Sequence, residues 1–377
     1  ILAIPLELRQ MIFKDVLTNP SCGAQLLRTS KEIYQEAHKF LFQRPVLFHG
    51  QAELYSWLDR VPELILPQVT EIIIELYEVD LTTLLSQPSS STQPTPELPR
   101  LRAWDLHEQE LDKLNQNLLR LPNIQTLTIH ALPDRQSFLY REFLTNFLSS
   151  LSTILPNLKS LVLSGNFHHQ DLTFLTTLTT LQSFTFDGFS ASSASNTATI
   201  LSSLPNLTSL TLTSHHSTLA PPMHTHSTFT SKRQSFTSSF FLATHRLSSF
   251  SLSEYSTSHP ASTPLFFTPD LLTHLVTHTN LLSLSIKLSH APPAATLDAL
   301  ETYLISTSTL SRLELDWPDL TSDVLEEHVL VPSCVEEVWL RVAGGLAGVF
   351  DVLWGLLEGR ESGDLEKLRR VVLMRGV

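Results

Sequence analysis

One short pattern recurs through most of this chain and constrains its fold more than any other feature. In the segment 156–166, PNLKSLVLSGN, the apolar residues Leu158, Leu161 and Leu163 follow the spacing L-x-x-L-x-L, and Asn166 stands three places further on. The same frame, aligned on its first apolar position, begins at Val69, Leu101, Ile124, Leu158, Leu181, Leu207, Leu247, Leu281, Leu310, Val335 and Leu368. This recurrence indicates a repeat protein.

Each frame predicts a short strand with one apolar face. Side chains alternate along a strand, so the second and third apolar residues of a frame, such as Leu161 and Leu163, point the same way. One strand cannot bury that face alone, whereas stacked copies build a continuous core. Helical patterns lie between the frames, at 106–121, 138–155, 171–178, 198–204, 269–277, 294–306, 320–329 and 346–358. We therefore predict an α/β fold, an irregular leucine-rich-repeat solenoid with parallel strands on one face and helices on the other.

The spacing of the frames is uneven. They lie 23 to 40 residues apart, whereas ordinary leucine-rich repeats have about 20–29 residues. The extra length predicts insertions in loops, and the stretches near 86–99 and 213–239 have a suitable composition, rich in Ser, Thr and Pro. We expect disorder in the second of these stretches.

The residues before the first frame have helical patterns instead of the repeat. Pro5 begins a predicted helix whose stripe of Leu8, Ile12 and Val16 ends before Pro20. A second helical pattern covers 26–42 and should pack on the first as a hairpin, and a third covers 54–61. The predicted organisation is a helical head at 1–48, a connecting helix at 49–68 and a solenoid at 69–377.

Charge and composition argue against nucleic acid, a membrane and a structural metal as partners of this chain. The net charge of −12 argues against a nucleic-acid partner, because affinity for phosphate comes from clustered Lys and Arg. The longest apolar run, 344–357, contains Asp351 and is too short to span a bilayer, so no membrane association is expected. The 2 cysteines form no disulfide framework or zinc motif. We expect a cytoplasmic or nuclear protein that needs no cofactor.

The head also carries a family resemblance. Its first helix reads IPLELRQMIFKDVL and its second reads LLRTSKEIYQEAHKFLF. These segments resemble the F-box-like head of many fungal proteins, and the later frames resemble the irregular leucine-rich repeats that follow such heads. The resemblance implies a non-enzymatic substrate-recognition adaptor of a cullin-RING (SCF-type) ubiquitin ligase. In that arrangement the head binds a Skp-family adaptor protein and the repeats bind a protein substrate.

The first helix of the head has two interpretations. By resemblance, its partner-binding residues are Pro5, Leu6, Leu8, Ile12 and Phe13. Alternatively, the same residues cap the exposed first repeat, and the chain is a leucine-rich-repeat interaction scaffold with no ligase connection. Burial of this helix against the repeats would favour the cap.

The face of the sheet opposite the core is the second candidate surface. Its middle strands present Ser and Thr, whereas the C-terminal strands present an aromatic residue among charges, a composition typical of interaction hot spots. The candidate residues are Arg312, Glu314, Asp316, Glu337, Trp339 and Arg341, with Arg370 at the last frame. Trp339 has an alternative position in the core beneath the terminal helix.

Signs of catalysis or of a metal site are weak, and we predict that the chain is not an enzyme. The motifs of serine hydrolases, zinc proteases, P-loop enzymes and kinases are missing from the sequence. The glycines of 344–348 follow a strand frame but lack the spacing of a dinucleotide-binding loop, so we interpret them as a tight turn. His274 and His278 are four residues apart on a predicted helix, yet a zinc ion needs further ligands.

Overall fold

A computed structural model describes residues 4–18, 24–80, 99–133, 136–215, 234–244, 246–255, 264–318 and 320–375. The chain divides into two compact units, Ile1–Gln170 and Asp171–Val377. Each unit consists of parallel strands that keep the order of the sequence, joined by helical crossovers.

The described residues of the first unit begin with the helical hairpin and contain four strands. Its helices are α1 (Leu6–Thr18), α2 (Lys31–Leu41), α3 (Gln51–Arg60), α4 (Pro99–Leu119) and α5 (Phe138–Ile154), and its strands are β1 (Val46–Phe48), β2 (Glu71–Glu75), β3 (Thr126–His130) and β4 (Ser160–Ser164). Each strand pairs in parallel with its neighbour in sequence, with Val46 opposite Ile72, Glu71 opposite Thr126, and Thr126 opposite Ser160. Short 3-10 helices at Ala24–Arg28 and Leu66–Gln68 complete the unit.

Seven strands lie in the described part of the second unit. These are β5 (Ser183–Phe186), β6 (Ser209–His215), β7 (Ser249–Tyr255), β8 (Ser283–Leu288), β9 (Arg312–Asp316), β10 (Glu337–Val342) and β11 (Arg370–Arg375). The helices are α6 (Ala194–Ser202), α7 (Phe240–Ala243), α8 (Pro269–Leu275), α9 (Ala294–Ser306), α10 (Ser322–Glu327) and α11 (Gly345–Glu361), with a 3-10 helix at Leu172–Thr177. All of these strands pair in parallel, from Ser183 opposite Ser209 to Glu337 opposite Arg370.

Burial alternates along the strands, as the frame predicts. In β4, Leu161 and Leu163 are buried while Ser160, Val162 and Ser164 are half-buried, and the same alternation occurs in β2, β3, β5 and β8. Crossovers between adjacent parallel strands share one hand, so the helices lie over the same face of the sheet. That face holds the core and the opposite face remains accessible. The architecture is that of an α/β leucine-rich-repeat protein, which confirms the predicted fold class.

Ten of the frames lead into strands, and the frame at Leu101 does not. Leu101 lies inside α4, where Ala103, His107, Leu114 and Leu118 are buried. Apolar residues three positions apart also lie on one face of a helix, and at this position the chain forms a helix and not a strand. The prediction of a repeat at Leu101 is therefore wrong, and β2 and β3 belong to consecutive repeats. A strand that the frames do not include, β1, pairs with β2.

Asparagine side chains link successive repeats at the start of the strands. Asn157 Nδ2 donates a hydrogen bond to the Pro122 carbonyl at 3.1 Å, and Asn123 Nδ2 donates to the Pro67 carbonyl at 2.8 Å. In the second unit, Asn206 Nδ2 donates to the Thr179 carbonyl at 2.8 Å. The recurring L-P-N before three of the frames is the sequence signal for these bonds. Each of these bonds gives a hydrogen-bond donor to a loop carbonyl that the strand ladder does not use.

The second insertion is shorter than the sequence predicts. Residues 213–215 extend strand β6, and Phe236 is buried against the rings of Phe240, Phe241, Phe250 and Phe266. The prediction of disorder is therefore wrong at both ends of 213–239, because strand pairing and aromatic burial stabilise them. The middle of that insertion, 216–233, and most of the predicted insertion at 86–99 lie outside the described residues.

A buried carboxylate holds the chain that leads into α8. Glu254 is 3% exposed, and its Oε1 accepts hydrogen bonds from the amides of Leu265 at 2.6 Å and Phe266 at 3.0 Å. Its Oε2 accepts from the Phe267 amide at 3.0 Å. Three amide donors compensate a buried carboxylate for its lost hydration. This contact fixes Phe266 in the aromatic cluster, where its ring lies 5.5 Å from that of Phe189.

We predict that Glu254→Gln destabilises the second unit. The amide nitrogen of Gln cannot accept a hydrogen bond, so at least one buried backbone amide loses its partner, at about 1–3 kcal/mol of unfolding free energy. Urea unfolding followed by circular dichroism measures the difference. Glu366→Gln, at an exposed position, is the matched control and should change stability little. Equal stability of the two variants would contradict the role assigned to Glu254.

Candidate functional site

The helical head has a complete core of its own. Phe13 and Leu17 of α1 are fully buried and pack against Ile33, Ala37 and Phe40 of α2. Leu26 and Leu27 cover the end of this cluster, and Arg9 Nη2 lies 3.0 Å from Glu36 Oε1 beside it. The structure therefore places Phe13 in the core of the hairpin, out of reach of a partner. In this respect Phe13 differs from the other residues assigned to the head surface.

Three large apolar side chains of α1 point away from this core. Leu8, Met11 and Ile12 are exposed by 50%, 67% and 40%. They stand at i, i+3 and i+4, which places them on one side of the helix, opposite the stripe that contains Phe13. Leu6 and Pro5 are also exposed, at the start of the helix. We call Leu8, Met11 and Ile12 the head patch.

Met11 could have been found from the sequence by the same helical arithmetic that placed Leu8 and Ile12. It stands between them on the helix and is the most exposed member of the patch. Within the described part of the first unit, the repeats do not bury the head patch. The interpretation of this helix as a cap requires such burial, so the structure favours an accessible surface here.

The predicted charged surface lies on the accessible face of β8 to β11. Strand register aligns Ser283, Arg312, Glu337 and Arg370 in one row across the strands. A second row contains Ser285, Glu314 and Trp339. All seven residues of the predicted surface are therefore brought together at one end of the second unit. We call this set the charged face: Arg312, Glu314, Asp316, Glu337, Trp339, Arg341 and Arg370.

Ion pairs fix the carboxylates of the charged face. Glu314 Oε1 lies 2.8 Å from Lys287 Nζ, and its Oε2 accepts a 2.7 Å hydrogen bond from the Ser285 hydroxyl. Asp316 Oδ1 lies 2.9 Å from Arg341 Nε. Burial raises the pKa of the Asp316 carboxyl, although Arg341 and Lys287 act in the opposite direction. The sequence predicts Ser285 among the Ser and Thr residues of the middle strands, whereas Lys287, at the next alternating position of β8, is missing from the predicted surface.

Trp339 lies on the accessible face and not beneath the terminal helix. Its strand neighbours Val338 and Leu340 are fully buried on the opposite side. The guanidinium carbons of Arg312 and Arg370 each lie 5.2 Å from the centre of its ring. The ring is therefore held between two cations, an arrangement that stabilises both its position and theirs.

The charged face suits recognition of another protein. It combines a tryptophan ring with arginines, two residue types that are enriched at the centres of protein interfaces, and ion pairs hold its carboxylates in fixed positions. These paired side chains are already ordered, so they lose less conformational entropy when a partner binds. The indole Nε1 of Trp339 is buried, so a partner meets the guanidinium groups and not the indole N–H.

The remaining sequence candidates do not assemble into a chemical site. His278 lies beyond the end of α8, is buried and has Nε2 at 2.7 Å from the Phe241 carbonyl, so it does not share a helical face with His274. The described residues contain no cluster of three or more potential metal ligands. Gly344 and Gly345 have positive φ angles of 87° and 69° and form the turn into α11. None of the helices given above has the length and apolar character that a membrane crossing requires.

We predict measurable coupling between Trp339 and each flanking arginine. In a double-mutant cycle of Arg312→Ala and Trp339→Leu, the unfolding free energies should deviate from additivity by about 0.5–1 kcal/mol, the usual size of an exposed cation–π contact. Arg370→Ala should give a similar value. Arg369→Ala is the matched control, because Arg369 pairs with Glu336 before the strand begins. Additive effects at Arg312 and Arg370 would contradict the arrangement.

Comparison with known proteins yields matches among solved structures. No protein-family model matches the sequence, and no curated protein matches it. TLR13 in its complex with ssRNA13 is 15% identical at a TM-score of 0.41, over 89% of this chain and 37% of that chain. The yeast Rad7 and Elc1 complex gives 13% identity and a TM-score of 0.37, over 89% and 77%.

A third structure, a leucine-rich-repeat protein of Leptospira interrogans, is 12% identical at a TM-score of 0.20, over 78% of this chain and 87% of that chain. This chain spans well under two thirds of the TLR13 chain.

Proposed function

We propose that this chain is a substrate-recognition adaptor of a cullin-RING (SCF-type) ubiquitin ligase. Its head binds a Skp-family adaptor protein, and its repeats bind a protein substrate. The observation that carries the proposal is the head patch, three large apolar side chains exposed on a helix whose own core is complete without them. Such a protein works in the cytoplasm or the nucleus and performs no covalent chemistry itself.

The head patch has the form of a helix that docks in a groove. Anchors at i, i+3 and i+4 are the pattern by which an amphipathic helix inserts into an apolar groove of a partner. Fully burying one Leu, Ile or Met contributes about 1.5–3 kcal/mol, so three anchors supply a useful part of a binding free energy. Exposed single apolar residues are common, but a contiguous group is typical of an interaction surface.

The repeats supply the second half of the function. The charged face offers a partner an ordered set of cations and carboxylates around Trp339. An adaptor of this kind acts by raising effective concentration, since it holds substrate lysines near a conjugating enzyme bound elsewhere in the assembly. We therefore assign substrate binding to the charged face and adaptor binding to the head patch.

The alternative function is an interaction scaffold whose head only caps the repeats. Under this alternative the head patch has no partner and its apolar side chains serve stability. The burial of Phe13 and Leu17 fits both functions, because these residues pack within the hairpin, whereas the cap gives no reason for the exposure of Leu8, Met11 and Ile12. This difference favours the adaptor.

We predict that Leu8→Asp or Ile12→Asp abolishes capture of a Skp-family adaptor by the intact chain. A carboxylate at the centre of an apolar contact loses hydration without gaining a partner, so the affinity should fall at least about 30-fold. Calorimetry or pull-down with purified proteins measures it. Leu64→Asp is the matched control, because Leu64 is 89% exposed outside the head and its replacement should leave binding intact.

Folding is monitored by circular dichroism on each variant. Because Leu8 and Ile12 are exposed, the Asp variants should unfold within about 0.5 kcal/mol of the original chain. If the original chain shows no binding at micromolar adaptor, or if the Asp variants bind as well as it does, the adaptor function is wrong and the scaffold is the better description.

A further inference from the structure

A groove lies between the last two helices of the second unit, on the helical side of the sheet. Its floor is apolar and its volume is about 290 Å³. Helix α10 supplies one wall, α11 supplies the other, and the turn after α11 closes one end. The apolar lining consists of Leu325, Val329, Leu330, Val331, Val352, Leu356 and Leu365. This size approaches that of the pockets that bind small ligands or single side chains of a peptide.

All the charged side chains that line the groove are acidic. Glu326 comes from α10, Asp351 from α11, and Asp364 from the turn, while Lys and Arg are missing from the lining. Asp364 Oδ2 accepts a 2.8 Å hydrogen bond from the Ser362 hydroxyl. Among the described residues, Glu326 and Asp351 have no cationic partner. Their charges are exposed at the rim of an apolar cavity, where a positive group would be attracted.

The two helices that form the groove are also acidic beyond its lining, so the attraction for a positive group extends past the groove. Helix α10 carries Asp323, Glu326 and Glu327 without a Lys or Arg, and α11 carries Asp351, Glu358 and Glu361 against Arg360. This balance contrasts with the charged face, where cations and carboxylates pair with each other. The groove is therefore a surface whose charge is left uncompensated by the described part of the chain.

Gly355 lines the groove without a side chain, so the space between the two helices stays open at this position. It stands in the interior of α11, where Gly is about 1 kcal/mol less favourable than Ala. Its φ angle is not positive, and a Cβ built at this position has no heavy atom within 4 Å. Neither backbone conformation nor packing therefore requires glycine here. In contrast, a Cβ at Gly359 would lie 3.0 Å from Leu365 Cδ1, so that glycine has a packing reason.

We propose that this groove binds a segment of another protein that combines apolar and basic side chains. An apolar side chain enters between α10 and α11 over Val352 and Leu356, and a Lys or Arg beside it pairs with Glu326 and Asp351. Charge complementarity selects this occupant over a second copy of the chain, because the chain carries a net charge of −12 and would bring further carboxylates to an acidic groove. The inference concerns a surface separate from the head patch and the charged face, and it stands or falls independently of the proposed ligase function.

The groove can be tested with a synthetic helical peptide built only of Leu and Lys, with the leucines on one face. Fluorescence anisotropy of the labelled peptide should show saturable binding to the full chain that weakens as salt is raised. Two matched peptides separate the contributions, one with Glu in place of Lys and one with Ser in place of Leu. Both should bind at least about tenfold more weakly, because each lacks one half of the complementarity.

Two variants of the protein, with one control, show whether the peptide binds in the groove. Gly355→Leu fills the groove with a side chain in open space and improves the helix propensity, so the chain should stay folded while affinity falls about tenfold or more. Gly355→Ala is its control and should leave affinity unchanged within about twofold, since one methyl group leaves the groove open. The double variant Glu326→Gln with Asp351→Asn keeps the shape and removes two charges, and should weaken binding about fivefold and flatten its salt dependence.

The outcomes are distinct. Loss of binding in Gly355→Leu but not in Gly355→Ala supports the groove. Binding that both Gly355→Leu and the charge variant leave unchanged overturns the proposal, because the peptide is then held by general attraction to an acidic protein or by another face of α11. A lack of saturable peptide binding by the original chain, or sedimentation showing a dimer that Gly355→Leu disrupts, also overturns it, and the dimer would assign the groove to a second copy.

Discussion

The structure depends on one constraint: the repeating strands must bury the apolar side chains that alternate along them. A parallel strand satisfies its backbone hydrogen bonds only through neighbours, and its two or three inward side chains leave water only when a helix covers them. Leu161 and Leu163 show this in the first unit and Phe250 and Leu252 in the second, all of them essentially buried. Once the helices cover the apolar face of the sheet, the side chains on the other face of the strands are free to vary. The candidate surfaces therefore lie where the constraint of burial is absent.

The same constraint explains which elements could be predicted. The frames at Leu158 and Leu281 predict strands correctly. In each, apolar residues alternate after the L-x-x-L spacing and a helical pattern follows, and this combination is specific for a strand-helix repeat. The frame at Leu101 failed because α4 uses L-x-x-L with a helical period, and a short window does not distinguish the two. The sequence indicates an extended segment at 45–48, but strand β1 is too short for the frame, and its pairing partner Glu71–Glu75 lies more than 20 residues away. Such non-local pairing leaves little trace in local sequence.

The candidate surfaces were predictable to different degrees. The charged face is predictable from alternation, because register aligns equivalent positions of neighbouring strands. Lys287 is less visible, since the outward residues before it in β8, Ser283 and Ser285, resemble the Ser and Thr of the middle strands. The head was predicted by resemblance and helical spacing, but spacing alone did not reveal that Phe13 points into the hairpin while Ile12 points out. That distinction depends on the angle at which α2 packs, which two adjacent residues on one helix do not specify. The groove beside Gly355 gave no signal at all, since it forms between helices separated in sequence.

The three surfaces differ in chemistry, and this difference bears on how one chain can hold several partners. The head patch is apolar, with Leu8, Met11 and Ile12 as its anchors, so its affinity should depend little on salt. The charged face compensates its own ions, as Lys287 does for Glu314, and a partner there must match a fixed pattern of paired charges. The groove has an excess of carboxylates, so the binding that we propose there depends on charge attraction. A partner suited to one of these surfaces leaves buried or unpaired groups on the other two, so each surface discriminates against the partners of the others. Specificity in a repeat protein of this kind therefore arises from the residues that the repeat itself does not dictate.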